Sequence, residues 1–440
     1  DINRLYFWKS AIIVCEAAIQ HAHRYAALAR EMAQAEKRPA RKAELLAVHR
    51  NADGQFDLGD MGCKLFCKTE TYEKFKHARG INSRSDVAKC VFGPFFKLME
   101  SEVYQYPAFI KHVPVCKRAQ YITDVLGHFP GPWRETDFSR FESHFDAHIL
   151  DCIEMQLYKH MLKNFPDMWQ LIHNVLTGEN RCQAKGFTIR IRAKRMSGEM
   201  CTSLGNGFTN LILLKYIAYT KGAQLECVVE GDDALCFTDA ELTPEDFARL
   251  GFSIKMLTHN ELLRTSFCGL VMSRDLSTMT DPRKVLLNFG WTHSPLMLSG
   301  PRVLGALLRA KALSLAYEHP QCPILSTLAK VVLAHTSGVK ARFETGWYEA
   351  QLRREIASFA EDTGRKLEIG PSPATRRDFA EHFGISVQLQ EEVEQELMGW
   401  RGGKLSGPWV RFLFDMDDQY ADARDYDALY ARPSRYWPFF

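Results

Sequence analysis

The sequence has no run long and apolar enough to cross a membrane, and no stretch that reads as a secretory signal. It has no internal repeat and no low-complexity segment, which excludes a solenoid and a disordered chain. Its twelve cysteines form no paired framework, which excludes a disulfide-stapled secreted fold. Most of them lie in apolar surroundings, as Cys227 and Cys236 do, and are expected to be reduced, buried thiols of a cytosolic protein. Cys63, Cys67 and His77 fall short of a four-ligand zinc pattern. Net charge is low as well: 56 Lys and Arg against 53 Asp and Glu leave +3, so the overall balance names no partner. The first residue is Asp1 rather than Met, as expected of a processed or trimmed chain whose membrane anchor would lie in the missing part.

What is present is a large core and three separated polar segments. With 440 residues, 46% apolar and 25% charged, the chain has the composition of an ordinary globular protein of two or three domains. Gly231-Asp232-Asp233 lies between two short apolar runs, 225–229 and 234–237, and reads as the tip of a β-hairpin. Such a tip is either plainly solvated or a set of oxygen ligands for a cation. Asp137 ends the run Trp133–Asp137 as a strand gives way to a turn. Phe141, Phe145, Ile149 and Cys152 then recur at helical spacing, so a helix is predicted from about Glu142, with Asp137 or Ser139 as candidate caps. Ser197-Gly198 opens a loop of small and hydroxylic residues before an apolar helix. Thr202 and Asn206 lie four apart, hence on one helix face. That pattern serves either a ligand or a simple helix start.

Charge is uneven along the chain. Between Lys64 and Lys97 there are eight Lys or Arg and three Asp or Glu. This run either is a solvated loop or faces phosphates. Phe187–Arg192 alternates, predicting a strand with Arg190 and Arg192 on one basic face. That face suits RNA, or guards an exposed sheet edge.

Taken together, Asp137-x4-Glu142, Ser197-Gly198-x3-Thr202-x3-Asn206 and Gly231-Asp232-Asp233 resemble motifs A, B and C of viral RNA-dependent RNA polymerases. The wording is similar to the tombusvirus-like and nodavirus-like groups of positive-strand viruses. Lys74–Arg84 resembles motif F, Leu250–Lys255 motif D and Ser266–Leu270 motif E. The likeness covers about residues 64–290. It departs from the family at Glu142, where aspartate is usual.

The resemblance implies an α+β, right-hand polymerase of fingers, palm and thumb, with an antiparallel palm sheet and a mainly helical thumb. It implies an N-terminal extension and fingers over 1–130, palm motif A over 131–152 and a fingers insertion over 153–195. Palm motifs B to E would occupy 196–290, and the thumb and C-terminal tail 291–440. It implies RNA synthesis on an RNA template, with Asp137, Asp232 and Asp233 holding two Mg²⁺ ions that Mn²⁺ can replace. Lys74, Lys76, Arg79 and Arg84 would steady the nucleotide triphosphate. Glu142, Ser197, Gly198, Thr202 and Asn206 would read its sugar, and Lys255 would protonate the departing pyrophosphate. Cys268 and Gly269, with Arg190 and Arg192, would contact RNA.

Implied partners are template and product RNA and rNTPs. Viral replication proteins and host membranes would be reached through a segment outside this sequence, at replication complexes in the host cytoplasm. A reverse transcriptase would share the carboxylates but normally carries an aromatic residue where Gly231 stands. A binding-only remnant would lack a metal ligand, and none is missing. The tail from Asp415 to Asp427 has six Asp and one Arg, followed by Tyr430, Tyr436, Trp437, Phe439 and Phe440. It suits either a strand mimic over the RNA path or a packed thumb segment.

Overall fold

The computed structural model describes residues 58–68, 79–290, 299–343 and 369–400, with residues 30, 33, 34, 37, 296 and 356 as single positions. Most of the first 57 residues, together with Lys74, Lys76, His77 and the acidic aromatic tail, lies outside the described residues. The chain divides into two compact units. The first comprises residues 1–68, 78–112 and 129–259, and the second residues 69–77, 113–128 and 260–440. The division at 259/260 falls inside the expected segment 196–290.

In chain order the elements begin with β1 (Cys63–Cys67), β2 (Gly80–Arg84), α1 (Asp86–Val103), α2 (Arg118–Leu126) and β3 (Trp133–Phe138). Helices α3 (Ala147–Cys152), α4 (Glu154–Met161) and α5 (Pro166–Thr177) come after them, then β4 (Glu179–Ala184) and β5 (Phe187–Arg192). Next come α6 (Thr202–Thr220), β6 (Leu225–Glu230), β7 (Asp233–Thr238), α7 (Pro244–Ala248) and β8 (Ile254–His259). The second unit adds β9 (Ser266–Phe267), β10 (Leu270–Met272), β11 (Thr278–Thr280) and α8 (Pro282–Asn288). It continues with α9 (Pro301–Glu318), α10 (Leu325–His335), α11 (Pro373–Phe383) and α12 (Val387–Gly399). The fold is mixed α+β with largely antiparallel sheets, and the described residues after 300 are mainly helical, as expected.

The main sheet of the first unit has the order β6-β7-β3-β8, with every neighbour antiparallel. Side chains alternate across it. One face places Phe138, Ala234, Cys236, Cys227, Val229 and Ile254 in the hydrophobic core, where Leu211, Leu214 and Ile217 of α6 also lie. Phe138 fixes the end of β3 against Phe141 at 4.3 Å, Phe247 at 5.7 Å and Phe252 at 5.8 Å between ring centroids. Cys227 and Cys236 are register partners on this face, and burial pushes the Cys236 thiol up to about 12. Both are free buried thiols, as their surroundings predicted.

A second sheet has the order β2-β1-β4-β5, so β5 is an edge strand with Arg190 and Arg192 exposed. Within β1, Cys63 is buried and Cys67 exposed, and four residues of extended chain hold them about 13 Å apart. They do not share one metal.

The helix predicted from Glu142 is broken. Arg140 takes a left-handed conformation (φ 57°), a 3₁₀ turn covers Phe141–His144, and Phe145 is extended. Neither Asp137 nor Ser139 caps the helix beyond this break. Asp146 does, accepting from the Ile149 amide at 2.9 Å. The aromatic spacing reads through this break because Phe141 and Phe145 enter one core from either side of it, stacked edge-on at 5.0 Å.

In the second unit, β9–β11 form a three-stranded antiparallel sheet, and α9, α10, α11 and α12 enclose a separate core around Leu328, Val332, Phe379 and Val393. Arg376 grips Glu394 with two hydrogen bonds, at 3.1 and 2.7 Å. Glu394 also accepts from the Ile324 amide at 2.7 Å.

Candidate active site

The register of the main sheet gathers the acids. Asp137 is opposite Asp233 on β7 and opposite Lys255 on β8, and Asp233 is opposite Glu230 on β6. Paired residues share a face, so Glu230, Asp233, Asp137 and Lys255 form one row across the end of the sheet. Gly231 and Asp232 make the two-residue turn beside that row. Gly231 has φ 63°, a conformation that costs an L side chain energy.

Asp232 is half-buried. Burial raises its pKa, and the nearby charges of Glu142 and Asp137 raise it further. A hydrogen bond to its own backbone and the Arg79 guanidinium pull the other way. Three carboxylates from three different segments therefore share one field.

Helix α6 lies under the turn. Asn206, 4% exposed, donates from Nδ2 to Glu142 Oε1 at 3.4 Å. Motif A and motif B residues thus meet, 64 positions apart in sequence. One helical turn further, Asn210 donates from Nδ2 to the carbonyls of Gly231 (3.3 Å) and Asp233 (3.2 Å). Sequence reasoning passed over Asn210. Its signal was the i+4 step from Asn206 on an otherwise apolar helix.

The loop before α6 is anchored on both sides. Ser197 is half-buried, and its carbonyl accepts from the Asn82 amide of β2 at 2.7 Å. Gly198 (φ 97°) is exposed, and a β-carbon there would strike Ile81. The Thr202 hydroxyl donates to the Met196 carbonyl at 3.0 Å and so closes the loop. Glu199 is ion-paired with Arg84, and Arg195 with Glu154, all deeply buried. A β-carbon at Gly205 would overlap the Glu154 carboxylate, so glycine lets α6 close over this pair.

These contacts correct the expectation for Arg84. It is 3% exposed, and its guanidinium binds Glu199, Asn180 and the Met61 carbonyl. It braces the motif B loop and does not face a triphosphate. Arg79 is exposed and within electrostatic reach of Asp232. Lys255 is exposed at the end of the carboxylate row. Arg190 and Arg192 are exposed on β5, and Arg190 lies 3.7 Å from Glu179. Cys268 (φ 52°) and Gly269 (φ 74°) form the β9–β10 turn in the other unit.

Among the described residues, no three His, Cys, Asp or Glu side chains are grouped closely enough to cage a metal ion. The donors nevertheless fit Mg²⁺ chemically. They are hard carboxylate oxygens under mutual repulsion, and Mg²⁺ at phosphate-transfer sites is held by one or two carboxylates, with water and substrate completing the shell. Among the described residues, no helix is long and apolar enough to cross a membrane.

Carboxylates under strain at the end of an antiparallel sheet, over a helix presenting a buried amide, define a candidate phosphoryl-transfer centre. A family model described as viral RNA dependent RNA polymerase matches residues 101–402, more than half of the chain, and the chain belongs to that family. The match begins after the motif F segment and extends past the motif-bearing region to 402.

The RNA-directed RNA polymerase of Groundnut rosette virus (strain MC1) is 24% identical over 208 residues, 43% of this chain and 25% of that protein. That of Panicum mosaic virus (strain United States/Kansas 109S) is 33% identical over 113 residues, 24% of this chain and 11% of that protein. The chain thus spans a quarter or less of the curated polymerases it matches. Residues 1–53 match a different model, described as pyruvate formate lyase-like. They are 51% identical over 53 residues to the isethionate sulfite-lyase of Desulfovibrio desulfuricans (strain ATCC 27774 / DSM 6949 / MB), 12% of this chain and 6% of that enzyme. The segment expected as one N-terminal extension and fingers, 1–130, therefore has two separate likenesses, one of them ending at 53.

Proposed function

We propose that this chain synthesises RNA on an RNA template by two-metal nucleotidyl transfer, for replication and transcription of a viral genome of the tombusvirus-like or nodavirus-like kind. The observation that carries the reading is the meeting of Asn206 with Glu142 beside Asp232, whose pKa burial and the charges of Glu142 and Asp137 raise. A buried amide beside a carboxylate cluster supports a role in reading the sugar next to bound cations.

Asp137 and Asp232 hold divalent cations, with Asp233 beside them in the row. When bound, Mg²⁺, or Mn²⁺ in its place, supplies charge that activates the 3′-hydroxyl and stabilises the pyrophosphate leaving group. Arg79 draws the triphosphate toward the turn, with Lys74 and Lys76 contributing from the same basic run. Asn206 has an Oδ1 without a hydrogen-bond partner in the described structure. That oxygen can accept from a ribose 2′-hydroxyl, while Nδ2 stays on Glu142. Glutamate at 142 keeps the charge of the usual aspartate and has the reach for this contact. Ser197, Gly198 and Thr202 shape the loop next to the sugar. Lys255, exposed and opposite Asp137, is the proton source for pyrophosphate. Arg190, Arg192, Cys268 and Gly269 are proposed to touch template or product RNA. The main sheet would be the palm, the region from 291 the thumb, and the site of action membrane-associated replication complexes in the host cytoplasm.

The test is extension on a defined RNA template with Mg²⁺ and separate rNTP or dNTP pools. RNA-dependent incorporation of rNTPs supports the reading. DNA products from dNTPs would make the protein a reverse transcriptase. RNA binding without incorporation would leave a binding-only replication protein.

A further inference from the structure

We infer that Asn210 is a positioning residue for the metal-binding turn, holding the chain on either side of Asp232. This rests on the reading of Asp232 as a cation ligand. One amide nitrogen carries two hydrogens, and here each has its own acceptor. The acceptors are the carbonyl of Gly231, in the peptide that enters Asp232, and that of Asp233, in the peptide that leads on to Ala234. Pinning the chain at two points, one on each side of Asp232, limits the direction in which its side chain leaves the backbone.

The turn needs such a tie. Gly231 is left-handed, and a β-carbon there would meet nothing within 4 Å, so packing does not hold it on that side. The β6–β7 ladder ends at the Glu230–Asp233 pair and leaves the two turn residues without ladder bonds.

The tie is also rigid. Asn210 is fully buried, and its Oδ1 has no partner, so the side chain is held by its two donations. A flipped amide would set Oδ1 against both carbonyls, so only one orientation satisfies the turn. Gly207, three residues earlier on the same helix face, also lies against the turn: a β-carbon there would be in ordinary contact, 3.4 Å from the Gly231 nitrogen and 3.4 Å from the Phe109 ring. A neutral amide suits the place chemically, because a cationic donor would compete with the metal for Asp232. Since Asn206 precedes Asn210 by one turn, a single helix carries both the sugar contact and the turn's tether. Displacement of α6 at one is felt at the other.

The experiment compares Asn210→Leu, which keeps the branched shape, adds volume and loses donation, with Asn210→Asp, which keeps volume and sets oxygens against the carbonyls. Thr209→Val is the control. Thr209 is an equally buried neighbour whose hydroxyl has no partner in the described structure. Mn²⁺ binding to the full chain is read by electron paramagnetic resonance, and nucleotide addition is followed across a Mg²⁺ titration.

Both Asn210 variants are expected to weaken Mn²⁺ binding and raise half-saturating Mg²⁺ roughly 10–100-fold, the range seen when a ligand loses its orienting partner. Thr209→Val should match wild type in both. Wild-type Mn²⁺ affinity in folded Asn210→Leu overturns the inference. So does loss of thermal stability and rate together at unchanged metal half-saturation, which would make Asn210 merely structural. Tight Mn²⁺ binding without polymerisation by the wild-type chain would count against the polymerase reading. In that case the metal measurement would still decide the role of Asn210.

Discussion

Arg84, Glu199, Arg195 and Glu154 are as deeply buried as the apolar core, whereas Asp137 is exposed and Asp232 and Glu142 are half-buried. The first cluster balances two positive charges with two negative ones and completes itself with Asn180 and the Met61 carbonyl. The second sets three carboxylates together with Arg79 and Lys255 at its margin, and burial, with repulsion from Glu142 and Asp137 added, raises the Asp232 pKa. Charge that the protein neutralises internally holds a loop in place. Charge left uncompensated near the surface calls for a ligand.

The sharpest way to break this contrast is Asp232→Asn. Nucleotide addition is expected to fall by at least about 10³-fold, because cation stabilisation of the transferring phosphate is worth several kcal/mol. RNA binding should hold. A raised carboxyl pKa means the folded state disfavours the ionised form, so the group destabilises the fold above its ordinary range and not below it. Without metal, Asp232→Asn should therefore melt about 2 °C higher than wild type at neutral pH, with the gap closing in acid. A lower melting temperature would contradict the repulsion.

The closed cluster should answer in the opposite sense. Arg84→Met leaves Glu199 buried without its partner and should cost about 3–5 kcal/mol of stability, read by chemical denaturation. Arg79→Met should leave the denaturation midpoint unmoved and raise the KM for rNTPs. If Arg84→Met is stable and raises KM instead, Arg84 faces the nucleotide after all.

A smaller effect is expected at Asn206. Asn206→Ala should cut the preference for rNTP over dNTP about tenfold, because a hydroxyl network left unpaired costs about 1–3 kcal/mol. Matched incorporation rates with the two sugars measure it, and an unchanged ratio would place sugar reading elsewhere.

The smallest effect is in pH. Cation binding needs Asp232 ionised, so it should fail on acidification through a pKa above the ordinary aspartate range. Glu142→Gln removes one of the charges that raises it and keeps an oxygen for Asn206. The acid limb of the Mn²⁺ binding curve should move to lower pH. A shift to higher pH would reverse the electrostatic assignment.

Much of this centre was legible because its parts are local. The hairpin around Gly231-Asp232, the strand ending at Asp137, the alternating strand 187–192 and the helix after the Ser197 loop each arise from a pattern a few residues wide. Arg84 was misread because a basic run looks the same whether its members face solvent or a buried glutamate. Its partners, Glu199 and Asn180, lie 115 and 96 residues away. The break after Arg140 was missed for a related reason, since a period of apolar residues does not reveal a change of direction between them. Asn210 was passed over because a buried amide on an apolar helix has no meaning until the carbonyls it serves are in view.

The cross-strand row also determines which edits to its gene the protein can survive. Side chains in a strand alternate with a period of two, so one residue inserted or removed within Trp133–Phe138 would turn Asp137 inward and Phe138 outward. The acid and the aromatic anchor would exchange environments in a single event, and no point substitution nearby could restore both. At the β4–β5 turn, where a β-carbon on Gly186 would meet nothing within 4 Å, an added residue has room to loop out. Length variation among descendants of this sequence is therefore expected to collect at that turn and to be absent from β3.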